Sequence, residues 1–329
     1  MPNPPSGLPE FLNWTTERVA GWVAGHPAPV VAGWPFNGTR RWFLGHKEAR
    51  GKDGDYLSTL VRGQAEFYRM VLDHGVAAIL APSFGELNLR RGEEYARHAL
   101  GGLLQIGTDE VYQELFRRGV RVRFYGDYRR ALAGPEYRPM IGACDEIMAA
   151  TADGEGPLLL FGLFADGPCQ NIAGLAVESF QKNGKVPDRE ALIEAYYGVP
   201  VPDLSFYVGF EQPQLFDVPL VATGWEDLYF TLNSTPSVGQ NQLREILYDH
   251  LVSRRTSEVE YEKLPDEAKS RIIEEGRRFG TVGLGRGDPL TGLWSPVLPE
   301  TEGFTRRSGS LSPGPSASAS LESRPNDGP

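Results

Sequence analysis

Two adjacent arginines follow a glycine and lie among aromatic residues near the start of the chain. The run covers residues 34–43 and contains two tryptophans and two phenylalanines. Paired guanidinium groups match the oxygen geometry of a diphosphate, and a glycine lets the backbone approach such a ligand closely. The run therefore predicts a diphosphate-binding cradle formed by Gly38, Thr39, Arg40 and Arg41, with an apolar group attached to the phosphate. A surface corner whose arginines lie over aromatic rings would have the same sequence.

Short apolar runs alternate with amphipathic segments along the chain, and this order predicts the elements that must position the cradle. Such alternation is typical of an α/β fold with a single mainly parallel β-sheet flanked by helices. Ligands of these sheets gather at the carboxyl ends of strands, and residues 37–41 follow the first strand directly. The predicted strands cover 28–36, 76–83, 120–125, 157–164, 204–210 and 228–232, and the predicted helices cover 56–74, 93–118, 170–182, 189–196, 240–251 and 267–278.

Composition excludes some classes of function. The net charge is −10, with 43 acidic and 33 basic residues, which argues against general nucleic-acid binding. No run approaches the roughly 18 consecutive apolar residues of a membrane span, and the start of the chain lacks the features of a signal peptide. The two cysteines have no metal-ligand spacing, so we expect a cytoplasmic protein.

The domain organisation is expected to be simple. With 329 residues, of which 40% are apolar, the chain can build a substantial core. We expect an N-terminal segment with a short helix over 1–27 and one catalytic domain over 28–300. The Ser, Pro and Gly-rich tail over 305–329 is predicted to be disordered, because it has almost no large apolar side chain.

Several stretches in the same order resemble the cis-prenyltransferases, the undecaprenyl diphosphate synthase family, and most closely its tuberculosinol synthase branch. The family's substrate loop reads Asp-Gly-Asn-x-Arg-Arg-aromatic, and residues 37–43 resemble it in the glycine, the two adjacent arginines and the aromatic residue after them, with Asn in place of the leading Asp. The resemblance implies a cis-prenyltransferase-like fold, an allylic isoprenoid diphosphate as substrate, Mg²⁺ as cofactor and a homodimer. Further matching stretches are 124–130, 196–198, 206–210, 215–220, 228–231 and 243–250.

The resemblance also implies roles for single residues. Tyr56 and Tyr95 correspond to tyrosines near the reacting carbon, where a ring face stabilises a cation by about 0.5–2 kcal/mol. The alternative is that they are half-buried packing residues. Asn37 stands where the relatives have Asp, and its amide can ligate Mg²⁺ but cannot act as a general base. Asp227 matches a second metal carboxylate of the chain-elongating members, and the alternative is a solvated acid at a strand start.

One departure from the family indicates the reaction. Chain-elongating members hold the diphosphate of isopentenyl diphosphate with arginines, whereas the corresponding stretch 207–215 has none. Without cationic partners, desolvation of a second diphosphate would not be offset. We therefore predict a terpene synthase that ionises an allylic, bicyclic C20 diphosphate of labdane or halimane type, supplied by an upstream diterpene cyclase, to give an alcohol or olefin. The alternatives are a chain-elongating cis-prenyltransferase, a non-catalytic partner subunit and a transferase to a nucleoside.

Overall fold

A six-stranded sheet lies at the centre of the fold. The computed structural model describes residues 4–45, 56–255, 260–278, 282–291 and 293–297. The strands are β1 Val31–Gly33, β2 Ala78–Phe84, β3 Arg121–Tyr125, β4 Leu158–Leu163, β5 Phe206–Phe210 and β6 Asp227–Thr231. They are arranged in the order β3-β4-β2-β1-β5-β6, and every pair of neighbours is parallel.

Helices cover both faces of this sheet, as parallel sheets require, because both faces carry apolar side chains. Two short strands, β7 Gly285–Gly287 and β8 Trp294–Pro296, form a separate antiparallel pair. No helix in the described part of the chain is long and apolar enough to cross a membrane. The α-helices are α1 Leu8–Leu12, α2 Thr16–Ala24, α3 Thr39–Gly45, α4 Tyr56–Asp73, α5 Glu86–Leu89, α6 Glu93–Ile106, α7 Glu110–Arg117, α8 Tyr128–Ala131, α9 Arg138–Ala150, α10 Cys169–Asn183, α11 Arg189–Tyr197, α12 Gln240–Tyr248 and α13 Asp266–Arg278.

The predicted fold class and all six predicted strands are confirmed, with ends that differ by a few residues. The single helix predicted over 93–118 is wrong. Helix α6 ends at Ile106, and α7 begins after Asp109, whose carboxylate accepts hydrogen bonds from the amides of Val111 and Tyr112 at 2.9 and 3.2 Å. Such a capping acid starts a new helix. The helix predicted over 240–251 is shorter than expected, because α12 ends at Tyr248 and a π-helical turn follows at Asp249–Ser253.

Strand β4 shows how the core is divided between the two faces. All six of its residues are buried, and its side chains alternate between two apolar clusters. Leu159 and Phe161 enter the larger cluster, which lies under α4, α6 and α9. Leu160 enters the smaller cluster, which lies under α11. The face of the larger cluster is the one on which the candidate site opens.

The first two helices pack into the larger cluster. Phe11 and Trp22 are buried in it. From α12, the buried Arg244 donates hydrogen bonds to the carbonyls of Leu12 and Trp14 at 2.8 and 2.7 Å. The predicted segment 1–27 thus packs closely against the rest of the described chain through its own described residues. The predicted tail over 305–329 lies outside the described residues.

Candidate functional site

The turn after β1 is held by a single segment from the other half of the chain. The amide of Asn37 donates to Thr235 Oγ1 at 3.0 Å, and the amide of Thr235 donates to the carbonyl of Asn37 at 2.9 Å. Gly38 has a φ of +74°. A Cβ at Gly38 would lie 2.7 Å from Ser234 Cβ and 2.8 Å from Phe210 Cζ. Both the backbone angle and the close approach therefore require glycine here.

The two arginines lie in the first turn of α3, where the sequence predicts a loop. They differ in their partners. Arg41 forms an ion pair with Glu211, and its Cζ lies 5.3 Å from the ring centre of Phe210. Arg40 is exposed, its Cζ lies 5.9 Å from the ring centre of Tyr95, and no carboxylate of the described residues forms an ion pair with it. Arg40 is therefore the guanidinium that a ligand can engage without displacing an acid.

The two predicted tyrosines lie beside this arginine. Tyr56 begins α4, and its Oη lies 3.5 Å from Thr39 Oγ1. Burial raises the pKa of Tyr56, and Tyr95 adds to the rise, whereas Thr39 and Arg40 oppose it. The phenol is thus neutral at physiological pH, as a ring that faces a cation should be. Tyr95 Oη accepts a hydrogen bond from Arg91 Nη1 at 3.0 Å. The structure brings Thr39, Arg40, Tyr56 and Tyr95 together.

A mostly apolar cavity of about 160 Å³ opens beside these residues. Thr39, Tyr56 and Tyr95 all contribute to its wall. The rest of the wall is mainly aliphatic and aromatic, from the ends of β2 and β4 and from α4 and α6. Its larger apolar members include Leu57, Leu60, Phe84, Leu100, Leu103 and Phe161. A cradle for charge thus adjoins a space for hydrocarbon.

Three polar residues in this cavity were missed by the sequence reading: Gln64, Ser83 and Asn88. Gln64 Oε1 accepts from the hydroxyl of Tyr112 at 2.8 Å, and Asn88 Oδ1 accepts from the amide of Gly85 at 3.0 Å. Each amide oxygen is therefore engaged within the protein. The Gln64 side chain also hydrogen-bonds Tyr68, so of these two amides it is the NH₂ group of Asn88 that can serve as a donor for a ligand. Helical spacing could have identified Gln64, since it lies two turns after Tyr56 on α4.

Asp227 does not join the cradle. It begins β6 and so lies at the amino-terminal edge of the sheet, whereas Asn37 follows the carboxyl end of β1. Its Oδ2 accepts from His250 Nδ1 at 2.6 Å, and Arg254 and Arg255 approach the carboxylate at 3.7 and 3.4 Å. Burial lowers the pKa of His250. Within one chain, Asp227 is compensated by its own neighbours and does not reach Asn37, so the proposed pairing of the two as metal ligands is not supported.

The described residues contain no group of three histidine, cysteine or carboxylate side chains that could hold a metal ion. Asn37 offers one ligand. Its backbone is fixed on both sides by Thr235, and its side-chain amide makes no hydrogen bond with the described residues. Mg²⁺ is commonly held by few protein ligands together with substrate phosphates. The Asn37 carbonyl oxygen fits such an arrangement, in which the diphosphate supplies most of the ligands.

Comparison with known proteins shows a likeness along most of the chain. No family model matches it. Tuberculosinyl adenosine transferase of Mycobacterium tuberculosis is 32% identical over 247 residues, which cover 74% of this chain and 82% of that protein. Ditrans,polycis-undecaprenyl-diphosphate synthase of Xanthomonas oryzae is 28% identical over 257 residues, 74% of this chain and 95% of that protein. (+)-Kolavelool synthase of Herpetosiphon aurantiacus is 29% identical over 110 residues, 33% of this chain and 37% of that protein.

A solved structure shares the fold. Lavandulyl diphosphate synthase from Lavandula x intermedia, crystallised with dimethylallyl diphosphate, superimposes with a TM-score of 0.53. The superposition covers 68% of this chain and 94% of that one, at 14% sequence identity. At this identity the likeness shows the architecture alone.

Proposed function

The chain belongs to the cis-prenyltransferase family, and from this premise we propose that it is a diterpene synthase that ionises an allylic, bicyclic C20 diphosphate. The observation that carries the proposal is the placement of Arg40, Tyr56 and Tyr95 around the opening of an apolar cavity. One group suits a departing diphosphate, and the two rings suit the cation left behind.

Ionisation begins with cleavage of the bond between the allylic carbon and the diphosphate oxygen, and the electron pair leaves with the diphosphate. Arg40 stabilises the charge on the leaving group, and Arg41 adds a second guanidinium when its ion pair with Glu211 opens. The neutral rings of Tyr56 and Tyr95 face the cation. Bound Mg²⁺ would neutralise further diphosphate charge, with Asn37 as its protein ligand. The cation ends as an alcohol by water capture or as an olefin by proton loss.

The relatives support a C20 substrate. Two of them are named for diterpene-related activities, tuberculosinyl adenosine transferase and (+)-kolavelool synthase. A bicyclic substrate must come from an enzyme that cyclises a linear C20 diphosphate while keeping its diphosphate group. An upstream diterpene cyclase is therefore part of the proposal, as is a homodimer of this chain.

Chain elongation is disfavoured by the turn after β5. The arginine-free stretch 207–215 lies in β5 and this turn, and its Glu211 is directed to Arg41 of the cradle. Where an elongating enzyme needs positive charge for a second diphosphate, this chain has an acid that uses up one guanidinium of the first site. This arrangement supports a site for one diphosphate.

The test is incubation of the purified protein with C10, C15 and C20 allylic diphosphates, including bicyclic labdane and halimane types. Each is tested with and without Mg²⁺, isopentenyl diphosphate and adenosine. We expect diphosphate release and a C20 alcohol or olefin from a bicyclic substrate without any second substrate. Longer polyprenyl products would indicate an elongating enzyme, and an adenosine adduct would indicate a nucleoside transferase. If none of the substrates releases diphosphate, the protein is a non-catalytic subunit.

A further inference from the structure

A second cavity, of about 420 Å³, adjoins the one beside the cradle. Its wall comes from α3, from a different side of α4 and from the turn over 236–238. Phe36 and Leu60 line both cavities. These two side chains therefore form the partition between the two spaces.

The sizes of the two cavities matter for a large hydrocarbon. Pockets for small molecules typically enclose roughly 300–1,000 Å³, and the first cavity is smaller than this range. The two cavities together fall within it. A C20 hydrocarbon whose diphosphate lies at Arg40 thus needs more room than the first cavity offers, and the second cavity, behind the partition, provides it.

Phe36 is well placed to act as a movable part of this partition. It directly precedes Asn37 of the cradle and is half-buried, with its ring centre 5.8 Å from that of Phe67 and 6.2 Å from that of Tyr68. On the α4 side it faces Gly63, where an added Cβ would lie 3.9 Å from Phe36 Cζ. Glycine inside a helix costs about 1 kcal/mol relative to alanine, and here it leaves space beside the ring.

The second cavity is suited to hydrocarbon. Trp42, Phe67, Met70 and Val238 contribute apolar surface to its wall. Its charged members, Arg62 and Glu66, are exposed. An alkyl chain that entered past Phe36 would therefore meet apolar side chains, while the charged groups remain in contact with water.

We propose that Phe36 is a specificity-determining residue of the substrate site, and that the hydrocarbon of a C20 diphosphate extends past it into the second cavity. The inference rests on the proposed function, because it states where the hydrocarbon of that substrate lies. Substrates of C10 size remain within the first cavity and do not require the second.

The test measures binding and does not depend on turnover. The probes are C10 and C20 allylic thiodiphosphates, which ionise slowly, and their affinities are measured by calorimetry. Met70→Trp fills the second cavity alone, so we expect about a tenfold loss of C20 affinity, the effect of roughly two buried methylene groups, with C10 affinity unchanged. Phe36→Ala opens the partition and should raise C20 affinity relative to C10. Leu104→Trp is the matched control, an exposed position on α6 that lines neither cavity.

Phe36→Leu serves as a second opening variant if Phe36→Ala fails to fold, and circular dichroism checks the fold of each variant. If the wild type binds the probes but the ratio of C20 to C10 affinity is the same in Met70→Trp and in a folded Phe36 variant, the inference is wrong and the proposed function stands. If the wild type binds neither probe, the proposed function is overturned and the inference falls with it.

Discussion

Charged side chains lie at both edges of the sheet, but they differ in whether neighbouring residues compensate their charge. At the carboxyl edge, Arg40 lies exposed beside an apolar cavity and has no carboxylate partner among the described residues. At the amino edge, the carboxylate of Asp227 is surrounded by His250, Arg254 and Arg255. A charge that its own neighbours compensate stabilises the fold, whereas an uncompensated charge is available to a ligand. Whether a charged side chain has a partner of opposite charge within the protein therefore distinguishes binding residues from structural ones better than residue type does.

Arg41 is intermediate between these two cases. It lies next to Arg40 in the chain and in the same helical turn, yet Glu211 already engages it. A diphosphate that binds Arg41 must displace that acid, so part of the gain is lost. Two neighbouring arginines that look equivalent in the sequence are therefore expected to contribute unequally.

The largest effect is expected from Arg40→Ala. A hydrogen bond to a charged group contributes about 1.5–3 kcal/mol, so we expect kcat/KM for the allylic diphosphate to fall by roughly 10- to 150-fold. Arg40 is exposed, so the free energy of unfolding should stay unchanged. Arg40→Lys retains the positive charge but not the planar guanidinium group, so its kcat/KM should lie between those of the wild type and of Arg40→Ala. A variant that keeps the wild-type kcat/KM would refute the assignment of Arg40 to the cradle.

Asp227→Asn should show the opposite pattern. It weakens the buried hydrogen bond with His250 and should lower the free energy of unfolding by about 1–3 kcal/mol. Because Asp227 lies at the far edge of the sheet, kcat/KM and its Mg²⁺ dependence should hardly change. If Asp227 were instead the second metal carboxylate that the family resemblance implies, Asp227→Asn would cost much of the Mg²⁺-dependent activity.

Asn37→Asp is the matched variant at the cradle. It restores the acid of the family and should increase Mg²⁺ affinity, and it should shift product from olefin toward alcohol because a carboxylate can accept a proton from water. The measurement is the Mg²⁺ dependence of activity in the wild type, in Asn37→Asp and in Asp227→Asn. A large loss of Mg²⁺-dependent turnover in Asp227→Asn would show that this residue does reach a metal, for instance across a subunit contact.

A smaller effect is expected from the pair at Arg41. Exposed ion pairs contribute about 0.2–1 kcal/mol, so Glu211→Gln should free Arg41 and lower KM by at most about fivefold. Arg41→Ala should cost less activity than Arg40→Ala. The comparison requires the two alanine variants and Glu211→Gln in the same assay, and equal losses for both arginines would show that the ion pair opens freely.

The sequence was sufficient for the parts that depend on local pattern. Strands such as β2 and β4 are buried on both faces, so their apolar runs identify them without any knowledge of their neighbours. The position of the cradle could also be predicted from the sequence, because its residues come directly after the apolar run of β1. The break between α6 and α7 was missed, although Gly107 and Asp109 are a visible stop and start signal.

Other features depend on distant parts of the chain. Arg41 and Glu211 are 170 positions apart and meet only because β5 pairs with β1. The failure of Asp227 to reach Asn37 follows from strand direction: Asp227 begins a strand and Asn37 follows one, and in a parallel sheet these ends lie at opposite edges. The partition formed by Phe36 and Leu60 depends on how α4 sits between two cavities, which periodicity alone does not show.

The smallest expected effect tests an uncompensated acid in the turn after β5. Burial raises the pKa of Asp217 to about 6, and the nearby Asp166 adds to the rise. A folded-state pKa above the unfolded value means that ionisation destabilises the fold. The carboxyl group costs nothing well below its unfolded pKa of 3.8, where it is protonated in both states. Stability is lost as the pH rises from there through 6, and it then stays level.

Asp217→Asn removes this charge and keeps the backbone, because asparagine tolerates the φ of +59° found here. The hydrogen bond from Tyr125 Oη to the Asp217 carbonyl, at 2.9 Å, is unaffected by the change. We expect the free energies of unfolding of variant and wild type to differ only slightly at pH 4, and the variant to be more stable by about 1 kcal/mol at pH 7.5, after allowance for partial exposure. Urea unfolding at both pH values measures the difference. A gain of equal size at pH 4 would point to a packing effect, and no gain at pH 7.5 would mean that the charge of Asp217 is compensated after all, as that of Asp227 is.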